Sequence, residues 1–87
     1  MISQKFLITN PVGLHLRPAR VFSAEMMKFD CDITVVYKNQ RVNAKSILNV
    51  MAACIPCGAE IILECSGSDE EQALQRAEEL IENDFEE

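Results

Sequence analysis

Gly13-Leu14-His15-Leu16-Arg17-Pro18-Ala19 dates the start of the first helix, and the rest of the chain falls into place around it. Pro18 lacks an N–H and is tolerated inside a helix only in the first turn, where that donor has no partner anyway, so the helix begins at about residues 16 and 17. His15, the only histidine in the chain, then falls at or next to the N-cap. There the unpaired amides of the first turn converge and the helix dipole adds about half a positive charge, a setting that suits a phosphate. Arg17 brings a forked, charge-assisted donor to the same anion. Gly13 allows backbone geometry that other residues resist, which helps to swing the imidazole outward. A neutral imidazole nitrogen accepts a phosphoryl group, and imidazole with an ordinary pKa of about 6.5 is mostly neutral at pH 7. Taken alone, a single histidine is more often a cap or surface residue; Gly, His, Arg and Pro at this spacing bring the chemical reading level with the plain one.

Upstream, Ile2, Phe6 and Ile8 share one face of a strand that Asn10-Pro11 ends. Downstream, Ala19, Phe22, Met26 and Phe29 recur at three- and four-residue steps, the apolar stripe of an amphipathic helix. Ile33, Val35 and Tyr37 alternate as a second strand, Lys38-Asn39 turns, and Arg41-Val42-Asn43 returns as a short edge strand. Residues 46–53 read as a short helix capped by Ser46. Ile61, Leu63 and Cys65 line one face of a fourth strand, opposite Glu60, Ile62 and Glu64. Ser68 through Glu71 reads as a capping box, and Ala73, Leu74, Ala77, Leu80 and Ile81 trace the stripe of a last helix. The acidic end, Glu82 to Glu87, reads as a solvated terminus that frays, because carboxylates oppose the dipole there. The sum is an α+β chain of order βαββαβα, an antiparallel sheet with helices on one face, expected as one domain over 1–87.

With 87 residues, the chain is large enough to fold without disulfides or a metal. A net charge of −6 argues against nucleic acid, where a basic face supplies most of the affinity. No apolar run approaches the length of a membrane span and no signal peptide is evident, so the expected address is cytoplasmic. The four cysteines are expected as small buried thiols. Cys54-Ile55-Pro56-Cys57 has C-x-x-C spacing, but it lacks a second pair and does not open a thioredoxin-like helix, so neither zinc nor redox work is assigned to it.

The residues 13–19 closely resemble the active-site motif of the HPr family, the histidine-containing phosphocarriers of the bacterial phosphoenolpyruvate-dependent sugar phosphotransferase system. Val42-Asn43-Ala44-Lys45-Ser46-Ile47 is similar to that family's second signature, and Gly67-Ser68-Asp69-Glu70 with the helix that follows resembles its C-terminal element. The resemblance implies an open-faced β-sandwich, a four-stranded antiparallel sheet of order 1-4-2-3 with three helices on one face. It implies His15 as phosphoryl acceptor through Nδ1, Arg17 as phosphate stabiliser, and no metal or small cofactor. The chain would be a carrier, the substrate of its partners and not a catalyst. Those partners would be enzyme I as donor and the IIA domains of sugar permeases as acceptors, met by a monomer. It further implies Ser46 as a regulatory site for a serine kinase/phosphorylase, with a transcriptional regulator reading the modified form. Beside His15, Leu16, Ile47, Leu48 and Met51 are expected to form an exposed apolar docking patch, with Arg20 a second cation one turn on. A regulatory or nitrogen-branch paralogue acting mainly through protein–protein signalling remains the alternative. Cys54 stands where the family often has glycine, and a left-handed residue there costs about 1 kcal/mol. In the implied strand order Cys31 and Cys65 become neighbours, and if their Cβ atoms lie about 3.5–4.5 Å apart an oxidised sample could bridge them.

Overall fold

The computed structural model describes residues 1–86. The elements are β1 (Ile2–Leu7), α1 (Leu16–Met26), β2 (Asp32–Tyr37), β3 (Gln40–Asn43), α2 (Ile47–Ala52), β4 (Glu60–Ser66) and α3 (Glu70–Glu82). The four strands form an open sheet of order β1-β4-β2-β3, antiparallel at each pairing. Only β2 and β3 make a hairpin, and Lys38 in its turn takes φ 54°, as a tight reversal matching the strand twist demands.

Register decides which side chains meet. Phe6 lies opposite Ile61, Val35 opposite Leu63, and Ile33 opposite Cys65, so the inward residues of three strands stand in rows. Ala19, Phe22 and Met26 of α1, Val50 of α2, and Ala73, Ala77 and Leu80 of α3 cover those rows. The other face carries Lys5, Ile62 and Val36 side by side. Helices on one face and an uncovered face opposite make the expected open-faced sandwich.

Two ionic fastenings join the helices to their surroundings. Buried Glu25 of α1 accepts from Arg76 Nε of α3 at 2.8 Å and pairs with Lys28 at 2.6 Å. The Lys28 hydrogen bond, with Arg76 beside it, holds that carboxyl below its ordinary range against the opposing effect of burial. Lys45 Nζ donates to Phe29 O at 2.6 Å, tying the segment before α2 to the turn that follows α1.

Some local readings change. α1 ends at Met26, so Phe29 packs half-buried from the following turn and not from the helix. The expected box of Ser68 and Glu71 gives way to one set a residue earlier, in which Glu70 Oε1 accepts from Gly67 N at 3.1 Å. The reason lies across the sheet: N-cap Asp69 spends its carboxylate on the amides of Asp30 and Cys31, at 2.8 and 2.9 Å.

The acidic terminus is not simply solvated either. Asp84 and Phe85 take left-handed φ values of 54° and 62°, Phe85 N bonds Leu80 O at 2.6 Å, and the Phe85 ring is buried edge-on to Phe22. Apolar burial of that ring outweighs the unfavourable charges around it. Glu87 lies outside the described residues.

Of the cysteines, only Cys31 and Cys65 are buried, whereas Cys54 and Cys57 are exposed on a connecting loop. All four are free thiols. Burial first, then the neighbouring Asp69 carboxylate, pushes the Cys31 thiol up to about 12, and burial pushes Cys65 up as well. The register sets Ile33, and not Cys31, opposite Cys65, and burial favours the protonated form of both thiols.

Candidate functional site

Two residues lay out the approach to α1. Buried Asn10 donates through Nδ2 to Gly13 O at 2.6 Å, and Gly13 N returns to Asn10 O at 3.1 Å. Gly13 has φ +64°, and a Cβ there would stand 2.3 Å from Ile55 O, so a side chain fits neither the backbone nor the space. The tight approach lets Leu14 N bond Ile55 O at 2.9 Å and sends the Leu14 side chain into the core. With Leu14 turned inward, the next residue along this loop faces outward.

That residue is His15, exposed, the N-cap of α1 with extended φ −80° and ψ −169°. Its carbonyl accepts from Ala19 N at 2.8 Å, but its side chain makes no capping bond. The imidazole is thus free of the helix it heads. Pro18 is the third helical residue and brings no N–H, leaving the amides of Leu16 and Arg17 as open donors at this positive end, with no partner among the described residues.

The remaining expected residues sort into three places. Arg17 is exposed, makes no ion pair among the described residues, and borders a groove of about 790 Å³ with Asp84 and Glu86 of the returning tail. His15 borders a different cleft, of about 260 Å³, shared with Met51 and Cys54. Val12 stands between the two and lines both. Leu16 and Leu48 are 47% and 79% exposed, Ile47 and Met51 are half-buried, and Arg20 is exposed on α1. Ser46 is the N-cap of α2: its Oγ accepts from Asn49 N at 3.2 Å, and its own N bonds Asn43 O at 3.1 Å.

Two features near His15 were not assigned a place there from sequence. Cys54 takes φ +55°, the left-handed conformation that its position after a helix threatened, and this exposed residue lines the His15 cleft. The tail reaches the Arg17 groove because Phe85 is buried; a lone aromatic in an acidic end was the available signal.

Among the described residues no three His, Cys, Asp or Glu side chains gather as a cation site, and no helix is long and apolar enough to cross a membrane. The arrangement is chemically suited to holding an anion on an open imidazole at the positive end of a helix.

Residues 2–83 match the family model described as PTS HPr component phosphorylation site. A phosphocarrier protein HPr of Treponema pallidum is 41% identical over 87 residues, covering 100% of this chain and 99% of the relative. That of Mycoplasma capricolum is 46% identical over 69 residues, 79% of this chain and 78% of the relative. The crystal structure of HPr-C-His from Thermoanaerobacter tengcongensis superposes with a TM-score of 0.95 at 40% identity, covering 100% of this chain and 99% of that one. Strand order, an outward histidine at an uncapped helix start and sequence likeness along the chain converge, and the chain belongs to the HPr family of phosphocarrier proteins of the phosphotransferase system.

Proposed function

We propose that this chain carries a phosphoryl group on His15 between phosphorylated enzyme I and the IIA domains of sugar permeases, under control exerted at Ser46. The observation that carries the reading is the exposed imidazole at the head of α1 with no capping duty of its own. The donor's phosphohistidine N–P bond breaks as Nδ1 of His15 forms its own bond to phosphorus in line. The amides of Leu16 and Arg17 and the Arg17 guanidinium hold the equatorial oxygens, each contributing about 0.3–2 kcal/mol. Modest contacts suit a carrier: a group gripped far more tightly would not be released to the next acceptor. Arg17 lines the neighbouring groove and not the His15 cleft, so this reading requires its guanidinium to turn toward the phosphate.

Leu16, Ile47, Leu48 and Met51 form the shelf on which partners dock, with Arg20 attracting their acidic rims. A phosphate on Ser46 adds about −1.5 to −2 charges beside that shelf, at a helix start that tolerates them, so the fold survives and docking of acidic partners weakens.

The test is incubation with enzyme I and labelled phosphoenolpyruvate. One acid-labile, alkali-stable phosphoryl group per chain is expected, absent in His15→Ala. A wild-type chain that stays unlabelled overturns the proposal.

A further inference from the structure

The cleft beside His15 gathers donors that phosphoryl transfer does not need. Among the residues that line it are His15, Met51 and Cys54, which bear an imidazole, a thioether and a thiol and come from the head of α1 and from the end of α2 with the loop beyond it. At about 260 Å³ the cleft is narrow, and apolar Leu14 and Ile55 form its floor. Cys57, the other half of the C-x-x-C spacing, faces elsewhere: its Sγ lies 3.7 Å from Thr9 O and it borders a separate depression with Lys38 and Glu60. The two cysteines of this loop therefore border different depressions.

Two sulfurs and one imidazole form a soft donor set. Thioethers bind hard cations poorly, and zinc at a stable site takes four ligands, so the set favours a monovalent d¹⁰ cation of the copper(I) or silver(I) type, which is content with few soft ligands. We propose that His15, Met51 and Cys54 form a binding site for such a cation, and that its occupation closes His15 to phosphoryl transfer. On binding, the Cys54 S–H bond breaks, its proton passes to solvent, and a sulfur–metal bond forms, while the His15 ring donates a lone pair and keeps its other nitrogen protonated. No electron changes hands. A ring nitrogen whose lone pair is bound to the metal has none left to attack phosphorus, and the other nitrogen carries the proton, so the loaded imidazole is no nucleophile.

Silver(I), which is redox-inert here, is the probe. Titrated into the intact chain, it is expected to bind one equivalent at this cleft, moving the ring nitrogen resonances of His15 and the methyl resonance of Met51. Cys54→Gly, at a backbone angle glycine prefers, should bind at least tenfold more weakly and remain folded; Met51→Leu should weaken binding severalfold; Cys57→Ser should leave both the His15 and Met51 shifts unchanged. Unmoved His15 and Met51 resonances on titration, or unchanged shifts in Cys54→Gly, overturn the site. This measurement uses no phosphoryl donor, so a failure of His15 to accept phosphate would leave it intact. With labelled phosphoenolpyruvate and enzyme I, the silver-loaded chain should take up no label while Cys54→Gly at the same silver concentration still does; equal labelling with and without silver overturns the closing effect. A control with silver-treated enzyme I returned to silver-free carrier keeps that result from being an effect on the donor.

Discussion

α1 and α2 both begin at an extended N-cap residue, yet one start is left open and the other is closed. The Ser46 hydroxyl accepts from Asn49 N at the start of α2, while the His15 side chain makes no capping bond to α1. Length and packing account for the difference. α1 runs for 11 residues and buries Ala19, Phe22 and Met26, so tertiary contacts hold it without a cap. α2 has 6 residues and one buried side chain, Val50, and depends on its cap to close a helix that short. A well-anchored helix can leave its positive end free for a ligand. It also follows that any modification of the Ser46 oxygen acts on a hydroxyl already engaged, so a phosphate there has to take over the bond to Asn49 N.

The sharpest way to break this contrast is to disturb what turns His15 outward. Gly13→Ala meets both a left-handed φ and the Ile55 carbonyl, and should cost about 3 kcal/mol in urea unfolding. A loss below about 1 kcal/mol would show that the loop relaxes easily. Next come the caps themselves. Ser46→Ala should lose about 1 kcal/mol and keep the phosphoryl label, whereas His15→Ala should stay within about 0.5 kcal/mol of the parent and lose the label. The reverse pattern would place the structural duty on His15. Cys54→Gly should gain up to about 1 kcal/mol, read from the unfolding midpoint, because it relieves φ +55°.

The smallest effect concerns acid. α3 is fastened at its start by charge: the Asp69 carboxyl is held below its ordinary 3.8, first by the Asp30 amide, and Glu70 is held down by the Gly67 amide. Depressed carboxyl values stabilise the fold above the unfolded value and lose that contribution as pH falls through the folded one. The penalty of Asp69→Asn should therefore shrink as pH is lowered below 3.8, while that of Ser46→Ala, which removes an uncharged cap, should not follow pH. Parallel curves for the two variants would remove the distinction.

Much of this was legible in the amino-acid order because it rests on rules that act within a turn or along one strand. Pro18 dates the start of α1, alternation marks β2 and β4, and Ser46 before Ile47 marks α2. The order of the strands came from the family likeness and not from periodicity, which names strands without pairing them. What escaped was each local rule overruled by a distant partner. The box at α3 shifted because Asp69 found the amides of Asp30 and Cys31, and the tail folded back because Phe85 found Phe22.

His15 shows the same division within one site. Its place at the head of a helix, next to a proline-dated first turn, is written in residues 13–19, since capping and dipole effects reach no further than a few residues. Its neighbours across the cleft, Met51 and Cys54, and the separation of Arg17 into the groove of the tail were settled only when α2 and the returning C-terminus packed against α1. Contacts between residues so far apart along the chain depend on how the whole core closes, and no short segment contains that information.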